Sequence, residues 1–306
     1  MEKNKKQALL ADGAMLLATI IWGSGFVGNK VLLNGGMGPM QLIAIRFIIA
    51  SIVLLIPFRK RLLNNRPQLK AGIIIGIALF FSYILQTIGL QYTTASNNAF
   101  LTATYVIIVP LLAYFMTRKK PDNYNIIAAV MTFIGIALLT IDFTNLGFGP
   151  TIKGDLLTLV AAVSFAFQVS LIAQYSKKYD PIALAVIQII FVAVASTISA
   201  LIFEGTSFTI TPSGTGILLY LAVIATALCL VLQNVAQKYT TPTHAGIIMS
   251  LESVFGTLFG VLLLDELVTA QMGVGFIIIF LALIIAETKL AFLKKRRYAP
   301  AAKKEK

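Results

Sequence analysis

The chain has 306 residues, of which 58% are hydrophobic and only 12% are charged, and its formal net charge is +13. Soluble domains carry about 25% charged residues, so a chain this apolar lacks the polar groups to cover its own surface in water. Lipid is therefore the expected solvent. Because nearly all Lys and Arg residues lie between apolar runs, we attribute the basic charge to orientation in a membrane, and nucleic acid is not an expected partner.

The rarest residue types exclude several chemistries. Cys229 is the only cysteine and lies in an apolar run, so no internal disulfide is possible and no Cys-based metal site is expected. His244 is the only histidine, which leaves almost nothing for a His-based zinc site or a Ser-His-Asp triad. The sequence has no G-x-x-x-x-G-K-[ST] run for a nucleotide phosphate. We therefore expect neither an enzyme nor a cofactor.

Ten apolar runs follow one another along the chain, each about long enough to cross a bilayer core of roughly 30 Å as a helix. Because lipid offers the backbone no hydrogen-bond partner, we predict helices, and strands of a barrel would be about half as long. The first run is longer than the core of a signal peptide and is predicted to be a retained span. The runs are 13–33, 40–57, 71–90, 96–116, 124–141, 154–174, 182–203, 214–236, 243–264 and 270–287.

Lysine and arginine orient these runs. With the N-terminus in the cytoplasm, the inside segments hold 22 of the Lys and Arg residues, whereas the outside loops hold only Lys153. The positive-inside rule therefore predicts ten spans with both termini cytoplasmic. The basic segment 289–306 is then a cytoplasmic tail.

A repeat divides the spans into two sets of five. Tyr92-Thr93-Thr94 precedes the fourth span, and Tyr239-Thr240-Thr241 precedes the ninth. In the same way Pro39 opens the second span with Arg46 seven residues later, and Pro181 opens the seventh with Gln188 seven residues later.

The predicted repeats cover 12–142 and 154–288, and because five is odd, the second must enter the membrane from the opposite side. Inverted repeats with a site near the midplane are typical of secondary transporters. A duplicated helical bundle without a transport role is the alternative. The predicted fold class is thus an all-α integral membrane protein with ten transmembrane helices in two inverted five-helix repeats.

Several short motifs, taken in order, resemble a known family. They are Trp22-Gly23-Ser24-Gly25-Phe26, Lys30, Arg46-Phe47, Tyr239-Thr240-Thr241, Leu251-Glu252 and Leu264-Asp265-Glu266. Together with the arrangement of five plus five spans, they resemble the EamA family of the drug/metabolite transporter superfamily over nearly the whole chain. The resemblance implies a ten-span exporter of amino acids and other small metabolites with a cavity between two bundles, and we expect it in a bacterial cell membrane.

The chain departs from the family pattern at two places. Arg118-Lys119 follows the fourth span where the family would have an acidic Gly-Glu ending, so no carboxylate acts there. Ser253 follows Glu252 where proline is common, which changes the local flexibility of the ninth helix.

Three charged residues lie well inside the predicted spans, where each costs roughly 2.5–3.5 kcal/mol, so each needs a reason. Lys30 and Arg46 both fall in the predicted outer half. One hypothesis is that they attract anionic or zwitterionic solutes, with Arg46 binding a carboxylate through two hydrogen bonds. The alternative is structural: Lys30 extends to the lipid headgroups, and Arg46 binds backbone carbonyls or a loop acid.

Glu252 falls near the predicted midplane, and its counterpart in the first repeat is Tyr105. Burial favours the neutral acid, which suits a group that carries a proton or meets a substrate amine, so protons are a candidate coupling ion. A structural hydrogen bond is the alternative for Glu252. Trp22 is predicted to face either lipid or the cavity, and Gln168 and Gln188 are candidate polar groups of the cavity.

The sequence therefore favours a secondary transporter that exports small polar or amphipathic metabolites by alternating access. Its predicted substrate-binding residues are Trp22, Lys30, Arg46, Tyr105, Gln168 and Glu252. Efflux of hydrophobic or cationic drugs is the second hypothesis, and it would use Glu252 and the aromatic residues in place of the two cations.

Overall fold

The computed structural model describes residues 2–62, 66–109, 112, 123–142, 147–239 and 248–288. Within these ranges, helices account for nearly the whole chain. We number them α1 Glu2–Asn34, α2 Pro39–Phe58, α3 Arg66–Tyr92, α4 Ala95–Val109, α5 Asn123–Thr140, α6 Ile152–Tyr175, α7 Pro181–Phe203, α8 Pro212–Tyr239, α9 Ile248–Leu264 and α10 Ala270–Thr288. Arg118-Lys119, His244 and the basic tail 289–306 lie outside the described residues.

Each helix coincides with one of the apolar runs. Six of them, α1 to α3 and α6 to α8, are long and apolar enough to cross a membrane, and the other four are shorter apolar helices in the described part of the chain. The runs thus form helices as predicted, although α1 begins at Glu2, well before the first apolar run. A ladder of two residues per strand, Ile141–Asp142 (β1) with Gly147–Phe148 (β2), was not predicted.

The distribution of polarity is that of a protein in lipid. Large apolar side chains such as Phe133 (77% exposed) and Phe203 (72% exposed) point outward from the helices. Charged and amide side chains such as Arg46, Gln188 and Glu252 are buried between the helices. In water this arrangement would expose apolar surface and bury polar groups, both unfavourable, so the chain is a multi-pass membrane protein.

Small residues allow the helices to approach closely. A Cβ at Gly256 of α9 would overlap the Cβ of Ala99 on α4, and a Cβ at Gly72 of α3 would lie 2.6 Å from the Cβ of Ile187 on α7. Close crossings at small residues are usual in membranes, where packing replaces the hydrophobic effect between helices. These contacts join helices from the two halves of the chain.

Acidic side chains of the second half bind the starts of two helices in the first half. Glu204 accepts the backbone N–H groups of Met40 (3.0 Å) and Gln41 (2.8 Å) at the start of α2. Glu266 accepts those of Ala95 (2.6 Å) and Ser96 (2.9 Å) at the start of α4. Helix N-termini have free N–H groups and favour negative charge, so both carboxylates act as caps.

Three helices contain an irregular turn. α4 and α9 each contain a non-helical turn residue, Thr104 and Leu251, and these two follow Tyr92 and Tyr239 at the same distance in sequence. α8 contains a π-helical segment, Val223–Leu228. π-Helical turns are rare and often mark functional sites. All three irregularities lie beside the cavity described next.

Candidate functional site: a central polar cavity

A cavity lies between the helices, lined by side chains of α1 to α4, α6, α8 and α9. Its volume is about 50 Å³, measured as the space that the centre of a water molecule can occupy. At about 10–15 Å³ for one water molecule, this space holds a few waters or a small solute. The lining includes five of the six predicted site residues: Trp22, Arg46, Tyr105, Gln168 and Glu252.

Arg46 is 2% exposed, and its contacts within the described residues are all with neutral groups. Its Nε donates to Thr226 Oγ1, its Nη1 to Asn29 Oδ1 (3.3 Å) and its Nη2 to the Ala225 carbonyl (3.5 Å). The ring of Tyr83 lies 5.1 Å from its Cζ atom. These contacts reduce the cost of burying the cation but supply no negative charge to neutralise it.

The π-helical segment of α8 makes this arrangement possible. Its wider turn leaves the Ala225 carbonyl available to side chains, and that oxygen accepts from both Trp22 Nε1 (2.9 Å) and Arg46. Thr226 accepts from Arg46 and donates to the Leu221 carbonyl at 2.7 Å, five residues earlier. The segment thus links Trp22, Arg46 and the cavity wall.

Glu252 begins the regular part of α9 and is 6% exposed. Its Oε1 atom is buried and accepts no hydrogen bond from the described residues. In the same described part of the chain, the one ion pair within 4 Å joins Arg61 to Asp180, so Arg46 and Glu252 line one cavity without touching each other. An unpartnered buried carboxyl oxygen is costly, which makes a purely structural role for Glu252 less favourable.

Tyr105 and Gln168 complete the predicted set at the cavity. Tyr105 is 2% exposed, and its ring centre lies 6.2 Å from that of Phe165 on α6. Gln168 is buried beside Gln188 and Gln233. Gln188 does not line the cavity, but it contacts Gln168, which does. Trp22 faces the cavity, which was one of its two predicted positions.

Lys30 is the predicted residue that does not line the cavity. Its Nζ donates to the carbonyls of Leu90 and Thr93, both at 2.7 Å, at the C-terminal end of α3. The last carbonyls of a helix lack partners and favour a cation. The Lys30 ammonium is therefore used to bind α3 to α1.

Five polar cavity residues were not predicted: Asn29, Tyr83, Gln86, Thr102 and Gln233. Asn29 lies one residue before Lys30, and its amide is buried, so the available signal was a second polar residue within the first span. The sequence did not single out Gln233, because polar residues are frequent in the last turns of α8. Among the described residues no group of three or more His, Cys, Asp or Glu could hold a metal ion.

The fold and cavity define a class: a multi-spanning helical membrane protein with a small cavity between its helices that contains several polar side chains, as in solute transporters. The family comparison agrees, because the model of the EamA-like transporter family matches residues 9–141 and 152–288. The chain therefore belongs to the EamA-like transporter family.

Relatives extend over nearly the full length. An uncharacterized transporter of Archaeoglobus fulgidus is 35% identical over 282 residues, covering 92% of this chain and 87% of the relative. An uncharacterized transporter of Clostridium kluyveri is 23% identical, and the match covers 89% of this chain and 91% of the relative. Purine permease 3 of Arabidopsis thaliana is 28% identical over 146 residues, 44% of this chain and 42% of its own.

A crystal structure also shares the fold. It superposes with a TM-score of 0.68 at 16% sequence identity and covers 93% of this chain and 98% of its own. At this identity the likeness concerns the fold alone.

Proposed function

We propose that the protein is a secondary transporter that exports small zwitterionic metabolites, such as amino acids, across a bacterial cell membrane. The observation that carries this proposal is that Arg46 and Glu252 line one small cavity without forming an ion pair. A free amino acid brings a carboxylate and an ammonium, one for each residue. Arginine binds a carboxylate through two parallel N–H groups, and a buried glutamate binds an ammonium when no other cation reaches it.

Alternating access around this cavity is the proposed mechanism, with the halves 12–142 and 154–288 as inverted repeats. The packing supports this mechanism. If the two halves are equivalent, each helix corresponds to the one five positions away, so that the contact between α3 and α6 should have a counterpart between α8 and α1. The contact between α1 and α9 should likewise have a counterpart between α6 and α4, and all four pairs are in contact. The family model also matches the chain in two halves. The turn residues Thr104 and Leu251 occupy equivalent positions, and broken helices at a midplane site are frequent in transporters.

Proton coupling through Glu252 completes the proposal. A neutral Glu252 tolerates burial without a partner better than a charged one, so solute and proton would compete for the same carboxylate. The protein would then export one solute in exchange for an incoming proton, and it would need no nucleotide as an energy source.

Transport in proteoliposomes tests these roles. We expect amino acid movement that depends on a pH gradient, and loss of that dependence in Glu252→Gln. Arg46→Lys retains the charge but not the paired N–H groups, so its KM for the solute should rise about tenfold or more. Arg61→Lys is the matched control, because Arg61 is exposed and does not line the cavity. Wild-type kinetics in both cavity variants would remove Arg46 and Glu252 from the mechanism.

Efflux of hydrophobic or cationic drugs is the second candidate. The aromatic lining by Trp22, Phe26, Tyr83 and Phe165 favours it. The buried Arg46 opposes it by repelling a cation, and the small cavity volume opposes a bulky drug. Loss of dye resistance in Glu252→Gln, with resistance unaffected in Arg46→Ala, would favour efflux over amino acid export.

A further inference from the structure

Three glutamines from different helices form a cluster at one side of the cavity. Gln168 of α6, Gln188 of α7 and Gln233 of α8 are all at most 3% exposed. Gln168 Nε2 lies 3.4 Å from both Gln188 Oε1 and Gln233 Oε1, and Gln233 Nε2 lies 3.5 Å from Gln168 Oε1. We call these residues the amide cluster.

The bonds within the amide cluster are long and incomplete. An N–H···O bond has its usual length near 2.9–3.0 Å, so all three contacts are at the weak limit. Gln188 Nε2 is buried and has no hydrogen-bond partner in the part of the chain that the structure describes. Each primary amide has two N–H donors, and the contacts between the glutamines leave several of them unused.

If the amide cluster only held helices together, its N–H donors would not be left without acceptors. Polar side chains that hold membrane helices together gain from short, satisfied hydrogen bonds. Here both N–H groups of Gln168 are used, so the donors that remain are those of Gln188, behind the cavity lining, and the second N–H of Gln233, which lines the cavity. The complement of this surface is an oxygen atom of a ligand, a carbonyl or a hydroxyl.

The amide cluster is also distinct from the charged residues of the cavity. Arg46 is contacted by α1, α3 and α8 through Asn29, Tyr83 and the Ala225–Thr226 segment. None of these groups belongs to the cluster. The cavity therefore has charged groups for the α-amino and α-carboxyl ends of a solute and separate uncharged donors for another part of it.

We infer that the amide cluster recognises the side-chain oxygen of the transported solute, so that the preferred substrates are amino acids with amide or hydroxyl side chains. This inference rests on the proposed transport of zwitterions. Sites built to hydrogen-bond a polar substrate group discriminate strongly against the analogue that lacks it, because their own polar groups are then left unpaired.

Counterflow in proteoliposomes tests the inference with two solute pairs of equal shape, asparagine with leucine and threonine with valine. We expect the wild-type protein to prefer the polar member of each pair by about tenfold or more. Gln168→Met and Gln233→Met keep the length of the side chain but remove the amide from the cavity lining, and each should lower that preference at least tenfold. Gln237→Met is the control, because Gln237 is a buried glutamine of α8 that does not line the cavity.

The possible outcomes separate the two proposals. If the wild-type protein carries amino acids but the variants change both members of a pair equally, the cluster is a packing tie and the inference is overturned. The same holds if the wild-type protein shows no preference within the pairs. If it carries no zwitterion at all, the proposed function fails and the inference with it. Should Gln168→Met not fold, Gln233→Met decides the question.

Discussion

Two cations predicted as a pair in the outer half of the membrane have different surroundings in the structure. Arg46 lines the cavity with neutral partners, whereas Lys30 binds the last carbonyls of α3. The interactions that offset the cost of burying each cation are therefore different. Among the residues that the structure describes, no acidic side chain pairs with Arg46, whereas the carbonyls at the end of a helix neutralise Lys30 in part.

Replacing Lys30 should therefore affect stability and leave solute binding nearly unchanged. We expect Lys30→Met to lower the free energy of unfolding by about 1–3 kcal/mol, because two carbonyls lose a charged donor, while KM stays within about twofold. Lys153→Met is the control: Lys153 is exposed, its Nζ lies 3.8 Å from the centre of the Tyr92 ring, and its loss should cost at most about 1 kcal/mol. Thermal unfolding in detergent and transport kinetics give both quantities. A large rise in KM with unchanged stability would instead show that Lys30 contributes to solute binding.

The sequence alone predicted which charged residues are costly but not how each is compensated. A charge inside an apolar run is visible in the sequence, and so Arg46 and Glu252 were identified. The partners of Lys30 are carbonyls at the end of α3 and just beyond it, about sixty residues away. They depend on where that helix ends after packing. Gln233 was missed for a different reason, because it is one of several polar residues in the last turns of α8 and nothing local singles it out.

At the scale of elements, the ends and interruptions of the helices determine how the halves are joined. Apolar run lengths predicted the helices because burial in lipid depends on local composition. The turns at Thr104 and Leu251 and the π-helical segment were not predicted. They depend on hydroxyl groups that bind backbone carbonyls within the helix, such as Thr104 Oγ1 to Leu101 O (2.6 Å) and Ser253 Oγ to Ser250 O (2.8 Å).

The cap that Glu266 places on α4 yields a prediction at this scale. Glu266→Gln replaces one acceptor oxygen by an N–H donor that faces the N–H groups of Ala95 and Ser96. We expect a loss of about 1–2 kcal/mol and amide hydrogen exchange in the first turn of α4 that is about five to thirty times faster. Asp265→Asn is the control, because Asp265 is exposed and its left-handed backbone (φ 53°) suits asparagine. Equal exchange rates in both variants would show that Glu266 does not hold α4.

At the scale of the whole molecule, the inverted topology remains a prediction from the distribution of Lys and Arg. The single cysteine, Cys229, is buried, so a Cys229→Ala protein provides a background for labelling. Lys60→Cys and Thr206→Cys introduce exposed thiols in the segments that follow α2 and α7, the equivalent helices of the two repeats. We expect a membrane-impermeant reagent to label them from opposite sides of the membrane, Thr206→Cys from outside. Labelling of both from one side would exclude inverted repeats.

The π-helical segment of α8 has a consequence for the divergence of related carriers. A π turn accommodates an added residue, and in an α-helix one residue corresponds to a rotation of about 100°. Deleting one residue from Val223–Leu228 would restore regular winding and leave Gln233 and Leu230 facing the cavity, but it would withdraw the Ala225 carbonyl from Trp22 and Arg46. Single-residue insertions and deletions in this segment are thus a simple genetic route by which the selectivity of such a carrier can change while its bilayer-facing exterior is conserved.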